Sequence, residues 1–219
     1  ELRFKNHDLR IIAIEKDEKL IRQLQKIFSG DKNIEFIEGD VLKVLPSLIH
    51  KSKFVNHNYK IVGNIPYYIT GKLLRTIGEL PIKPALCVLT IQKEVAERIV
   101  EKPPRMNRLA ASVQFWAEPA IKLILKKNLF VPAPEVDSAT VIFKGLPREK
   151  SSERGYYKIV RAIFAQPRKT LLNNLSSGLE IPKSEAEMLL KKAGIKPDLR
   201  PQNLSVEDIL KLASAFGTD

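Results

Sequence analysis

The chain alternates short apolar runs with amphipathic stretches for its first two thirds, then turns purely helical. "RIIAIE" (10–15) is short, β-branched and apolar, which predicts a strand. In "DEKLIRQLQKIF", Leu20, Ile21, Leu24, Ile27 and Phe28 recur at helical spacing, and Asp17 stands where an N-cap is needed. "IEFIEGD" (34–40), "YKIVGN" (59–64) and "ALCVLTIQ" (85–92) predict three more strands. "VLKVLPSL" predicts a short helix or loop. "ITGKLLRTIGEL", "KEVAERIV" and "NRLAASVQFWAEP" predict helices. "AIKLIL" (120–125) and "SATVIFK" (138–144) predict an antiparallel pair, because only a loop separates them. Strands interleaved with helices at this spacing imply an α/β fold with a mostly parallel, doubly wound sheet.

Strand patterning stops near Gly145, where "GLPREKSSERG" is polar and turn-rich. Three or four short helices are expected beyond it. Ser184 and Ser205 look like their N-caps, Ser184 in a capping box with Glu187 and Ser205 opposite Asp208. The expected domains are therefore a sheet domain over 1–144, a linker over 145–154 and a helical domain over 155–219. A doubly wound nucleotide-binding sheet normally opens with a strand and a Gly-rich turn. No such turn precedes "RIIAIE", so an N-terminal piece carrying both is expected ahead of this chain.

Composition narrows the function. Lys and Arg exceed Asp and Glu by 12 among 219 residues. The excess is not a tail effect: 1–143 carries 23 basic and 16 acidic residues, and 144–219 carries 14 and 9. A basic surface favours a polyanionic partner, nucleic acid first. Cys87 is the only cysteine, so no internal disulfide can form, which suits a reducing, cytoplasmic compartment. No apolar run is long enough to span a membrane, and no signal-peptide pattern opens the chain. His7, His50 and His57 lie scattered among polar residues, and no metal-ligand spacing is present.

Three predicted strands end in polar residues: Glu15, Asp40 and Asn64. In an open α/β sheet, ligands bind outside the carboxyl ends of the strands. A carboxylate there suits ribose hydroxyls, and a second suits an exocyclic amine. In "VGNIPYYIT" (62–70), Asn64 offers a side-chain carbonyl beside the backbone carbonyl of Ile65. Pro66 fixes φ and carries no N–H, and Tyr67 offers a flat face for a base. The plainer alternative is a helix start, with Asn64 as N-cap and Pro66 in the first turn.

"NIPYY" resembles the signature of adenine N6-methyltransferases. "IAIEKD", "GDVL", "QKEVAERIV", "FVPAPEVDSATV", "PRKTLLNNL" and "LRPQNLSVEDILKL" extend the resemblance along most of the chain, to the small-subunit (16S) ribosomal RNA adenine N6-dimethyltransferase family. The resemblance implies a Rossmann-like S-adenosylmethionine-dependent methyltransferase sheet with a small C-terminal α-helical domain. It implies dimethylation of two adjacent adenosines near the 3′ end of 16S rRNA, within the small ribosomal subunit or its precursor, by a monomer. It gives Glu15 the cofactor ribose, Asp40 the cofactor adenine, and Asn64 a place near both methyl donor and target nitrogen. Ile65, Pro66 and Tyr67 complete the catalytic turn, and Phe130 covers the other face of the base. Arg161, Arg168, Lys169, Lys191, Lys192 and Arg200 are the candidate RNA contacts of the helical tail. Pro167 stands where the pattern has a basic residue. Three rivals share parts of this reading: an RNA-binding assembly or transcription factor without required catalysis, a 23S rRNA adenine methyltransferase, and a DNA adenine methylase. Ile65 and the "PRKTLLNNL" helix count against the last.

Overall fold

A computed structural model of the chain describes residues 9–51, 59–147 and 153–217. His7, His57 and residues 148–152 of the expected linker lie outside the described residues. The described residues fall into two compact units, one holding those up to 51 with 79–82, the other 59–78 with 83–217.

The first unit is a β-α-β turn followed by a helix: β1 (Ile11–Glu15), α1 (Glu18–Ile27), β2 (Ile34–Glu38) and α2 (Val41–Lys51). β1 and β2 pair in parallel, from Ile11 opposite Ile34 to Glu15 opposite Glu38. Asp17 caps α1 as the pattern predicted, its carboxylate accepting from the Lys19 and Leu20 N–H groups. Ile21 is the buried anchor of α1. In α2, "VLKVLPSL" is a full helix despite Pro46, and it buries Leu45 and Ile49.

The second unit holds β3 (Lys60–Asn64), α3 (Thr70–Glu79), β4 (Leu86–Gln92), α4 (Lys93–Val100), α5 (Arg108–Gln114), β5 (Ala117–Leu125) and β6 (Ser138–Gly145). These strands form a four-stranded sheet in the order β3-β4-β6-β5. β3 and β4 are parallel, whereas β6 runs antiparallel to both neighbours, which bears out the pairing expected of β5 and β6. β4 buries Cys87, Leu89 and Ile91 on one face, and β6 answers with Ala139, Val141 and Phe143. Trp116 stacks on Phe143 with ring centroids 6.0 Å apart.

One helix is shorter than its pattern. α5 stops at Gln114, and "AEP" belongs to β5 instead. Pro119 is tolerated there because β5 is the edge strand, where a missing N–H breaks no second ladder.

After β6 every regular element among the described residues is helical: α6 (Glu153–Ile163), α7 (Leu171–Leu179), α8 (Lys183–Lys192) and α9 (Val206–Phe216), with short 3-10 turns. α6 is rooted on α5. The buried Tyr156 hydroxyl donates to the Ala111 carbonyl at 2.9 Å, and its ring stacks on Phe115 at 4.4 Å. Lys83 and Glu153 add a largely buried ion pair at 3.3 Å. Ser205 caps α9 in a reciprocal box with Asp208, as predicted. Burial raises the Asp208 pKa, but hydrogen bonds from Ser205 and the charge of Lys211 outweigh it, so the carboxyl sits below its ordinary value. Ser184 is not a cap. α8 already begins at Lys183, and Pro182 precedes it with φ near −57°, its carbonyl accepting from Glu185 and Ala186. A proline that pre-sets φ starts the helix two residues earlier than the serine would.

Candidate active site

Two acceptors stand side by side in the first unit. Glu15 is the last residue of β1, and its backbone carbonyl accepts from Gly39 N–H at 2.8 Å. That bond brings the chain just ahead of Asp40 beside the end of β1. Glu15 Oε1 accepts from the Lys16 and Asp17 N–H groups at 2.7 and 2.8 Å, which turns the chain into α1. Asp40 Oδ1 accepts from Leu42 N–H at 2.9 Å, which turns it into α2. Each carboxylate thus spends one oxygen on its own loop. Its second oxygen has no protein donor among the described residues, and it remains open to a ligand's hydroxyl or amine.

In the second unit, β3 ends at Asn64 opposite Thr90 of β4. The Asn64 side chain is exposed and makes no hydrogen bond among the described residues. It is not an N-cap. The chain leaves β3 through Ile65 and Pro66 (φ −56°, ψ 134°) and enters a 3-10 turn over Tyr67–Ile69 before α3 begins at Thr70. The pre-set φ of Pro66 delays the helix and leaves the Asn64 and Ile65 carbonyls outside it. Gly63 makes room for this turn: a Cβ there would stand 3.2 Å from Ile65 Cγ2. Tyr67 is half-buried, and its hydroxyl lies 2.7 Å from the Ser138 hydroxyl, whereas Tyr68 is 80% exposed.

Phe130 sits on the loop joining β5 to β6. Leu129 and Val131 on either side are 67% and 100% exposed, whereas Phe130 itself is half-buried. Asp137 closes this loop. Its carboxylate accepts from Lys127 N–H and from Lys126 Nζ, both at 3.1 Å, and its carbonyl accepts from Lys93 N–H at 3.0 Å. The Lys126 ammonium, with the Lys127 N–H, holds the Asp137 carboxyl below the usual carboxylate range.

The candidate RNA contacts are spread along the helical segment. Arg161 is in the last turn of α6, and Arg168 and Lys169 occupy the exposed loop before α7. Lys191 and Lys192 end α8, where Lys192 Nζ reaches the Ala215 carbonyl at 3.4 Å, and Arg200 is exposed ahead of a 3-10 turn. Three residues escaped the sequence reasoning. Ser138 read only as the start of a strand and Asp137 carried no reading of its own, although Asp and Ser side chains commonly bond nearby backbone N–H groups in turns. Asn174 is fully buried, an Asn on the apolar face of "LLNNL". Cys87 is the core residue its surroundings suggested, and burial pushes its thiol pKa up to about 12. Among the described residues no group of His, Cys, Asp or Glu is placed to hold a metal ion.

Acidic residues after β1 and β2 in the first unit, and an Asn-Ile-Pro-Tyr turn after β3 in the second, are features of the Rossmann-like methyltransferase class. Comparison with known proteins sharpens that class. The family model "Ribosomal RNA adenine dimethylase" matches residues 4–217. "Ribosomal RNA small subunit methyltransferase A" of Dehalococcoides mccartyi is 42% identical over 210 residues, covering 94% of this chain and 71% of the relative. The protein of the same description from Lactococcus lactis is 37% identical over 215 residues, covering 94% and 72%. Among solved structures, a dimethyladenosine transferase from Plasmodium falciparum superposes with a TM-score of 0.76 at 25% identity, covering 93% of this chain and 80% of that one. The 23S rRNA methyltransferase ErmE shares the fold, with a TM-score of 0.67 at 23% identity over 94% and 81% of the two chains. The chain belongs to the ribosomal RNA adenine dimethylase family. It is an rRNA adenine dimethyltransferase, an enzyme that moves methyl groups from a donor to adenine.

Proposed function

We propose that this protein transfers methyl groups from S-adenosylmethionine to N6 of two adjacent adenosines near the 3′ end of 16S rRNA, in the small ribosomal subunit or its precursor. The observation that carries the reading is the exposed, unpartnered Asn64 amide, held with the Ile65 carbonyl at the carboxyl end of β3 by the Pro66 turn. Relatives described as small-subunit methyltransferases support the choice of subunit. We take the enzyme to act as a monomer in the cytoplasm. Among the described residues no helix is long and apolar enough to cross a membrane.

Glu15 and Asp40 fit the cofactor by the chemistry of their free oxygens. Glu15 would accept from the ribose hydroxyls and Asp40 from the adenine amine. When bound, S-adenosylmethionine supplies an electrophilic methyl group on a sulfonium. The protein's task is to make N6 of the target a nucleophile. Its lone pair is delocalised into the purine ring. Asn64 Oδ1 and the Ile65 carbonyl accept the two N6 hydrogens, which draws the nitrogen toward tetrahedral geometry and localises the lone pair. A new N–C bond forms as the S–C bond breaks. The methylated nitrogen is cationic and strongly acidic, so it loses one N6 proton to solvent water; Asn64 Oδ1 and the Ile65 carbonyl orient the N–H groups and do not retain the proton. Positioning and charge stabilisation supply the rate enhancement. A stacked or paired adenine cannot reach these groups, so the base is flipped out of the RNA. Tyr67 then stacks on one face and Phe130 on the other.

The helical domain, 155–219, grips the RNA backbone through Arg161, Arg168, Lys169, Lys191, Lys192 and Arg200. Binding dominated by phosphates falls steeply with salt. Asn64→Ala in the full-length protein tests the catalytic assignment. It should abolish methyl transfer while RNA affinity stays within about twofold, since Asn64 meets no phosphate. Normal turnover in that variant would overturn the assignment.

A further inference from the structure

We propose that the dipeptide Asp137-Ser138 presets the adenine slot, with Ser138 positioning Tyr67 and Asp137 positioning the loop that carries Phe130. The inference rests on the stacking roles proposed above for Tyr67 and Phe130.

Ser138 is fully buried, and its hydroxyl lies 2.7 Å from the Tyr67 hydroxyl. A buried hydroxyl without a partner is costly, so each group holds the other. A tyrosine has two side-chain torsions. Fixing its far end as well as its Cβ fixes χ1, and with it the direction of the ring axis and the place the ring occupies. The anchor is itself rigid, because Ser138 opens β6 and pairs with Gln92 of β4 and Leu125 of β5. The bond spans 71 positions of sequence, so it ties the turn after β3 to a strand two places across the sheet.

Asp137 does the same for the second aromatic. Its two carboxylate oxygens take Lys127 N–H and Lys126 Nζ, and its carbonyl takes the first N–H of α4. The two ends of the loop are thereby stapled together beside α4. Of the apolar triplet Leu129-Phe130-Val131, only Phe130 turns away from solvent. Both stacking groups are thus fixed from adjacent residues before RNA arrives. A preset slot lowers the cost of orienting the flipped base and acts on turnover more than on RNA binding.

The test uses full-length protein with Ser138→Ala, Tyr67→Phe and the double variant. Turnover is measured at saturating RNA, and fluorescence is read from an RNA carrying 2-aminopurine at the target position. Each single variant should lower kcat five- to tenfold, leave KM for RNA within twofold, and weaken the stacking-dependent quenching. The double variant should be no worse than either single one, because both remove one bond. Asp137→Ala and Phe130→Ala should be non-additive in the same way. Additive losses, a rise in KM at unchanged kcat, or full quenching in Ser138→Ala would each overturn the proposal. Tyr67→Phe keeps the ring and removes only the hydroxyl, so it decides the matter even where Ser138→Ala folds poorly. Tyr67→Ala separates the two layers. If it leaves kcat and quenching intact, the stacking role itself fails. If it impairs both while Tyr67→Phe does not, only the tether fails.

Discussion

Replacing Asn174 by alanine removes a side chain that holds the basic loop between α6 and α7. Asn174 is fully buried, and four backbone groups lie within hydrogen-bond reach of its amide. Nδ2 has two hydrogens and reaches three carbonyls, those of Gln166, Lys169 and Thr170 at 3.0, 3.1 and 3.2 Å, so one N–H is shared, and Oδ1 accepts from Gln166 N–H at 3.1 Å. The Gln166 and Thr170 carbonyls keep second donors, Lys169 N–H and Asn174 N–H. The burden of the substitution therefore falls on Gln166 N–H and the Lys169 carbonyl. A net hydrogen bond is worth about 1 kcal/mol, and a group left buried without a partner costs about 1–3 kcal/mol. Three bonds, together with Gln166 N–H and the Lys169 carbonyl left without a partner, set a scale of about 4 kcal/mol, and water reaching the exposed loop reduces it, so the expected loss is about 2–4 kcal/mol. Urea unfolding followed by the fluorescence of Trp116 reads it, since that residue is the chain's only tryptophan and lies buried in the same unit. At a slope of about 2 kcal/mol per molar urea the midpoint should fall by about 1–2 M. Arg168→Ala, on the exposed part of the loop, should change stability by less than about 0.5 kcal/mol. A midpoint within about 0.25 M of the parent for Asn174→Ala would refute the reasoning.

Gly178→Ala should destabilise by about 1–3 kcal/mol despite alanine's better helix propensity, because overpacking outweighs it. The new Cβ would stand 2.7 Å from Ala162 Cα and 2.8 Å from its Cβ, and a stabilised variant in the same urea assay would contradict this. Cys87, with its thiol pushed up to about 12 by burial and no exposed surface, should resist a thiol reagent at pH 8 and react only on unfolding. Rapid labelling of native protein would show that the core of the sheet is open. Asp137 has a folded pKa below its unfolded value, so its contribution is complete above about pH 4 and is lost as pH falls through the lower folded value. The stability difference between parent and Asp137→Asn should be constant from pH 5 to 8 and shrink on further acidification; a change near neutrality would exclude this carboxylate as the group responsible.

Much of this architecture was legible in the chain because its elements are locally determined. β1 through β4 and α4 follow from apolar runs and helical spacing, and Asp17 and Ser205 announce their helices by the chemistry of capping. The misreadings are also physical. "QFWAEP" continues a helical spacing, yet its aromatic pair is claimed by packing against Phe143 and Tyr156 and its end by the β6 ladder. Ser184 has the look of a cap, but Pro182 starts the helix first. The same division runs through the site. Glu15, Asp40 and Asn64 could be named because strand ends are readable. The Tyr67–Ser138 bond could not, since nothing local in either segment predicts a partner 71 residues away. Asn174 shows only that an apolar helix face carries an amide, and its three partner residues appear once the loop before α7 folds over it.

The most direct test of the central claim is to supply the full-length protein with labelled S-adenosylmethionine and with undermethylated small-subunit particles or large-subunit precursors, then map the modified base. The account predicts N6,N6-dimethyladenosine at two adjacent positions in the 3′-terminal region of 16S rRNA, and none after Asn64→Ala. Label in 23S rRNA, or tight binding to the small subunit with no label at all, would contradict it.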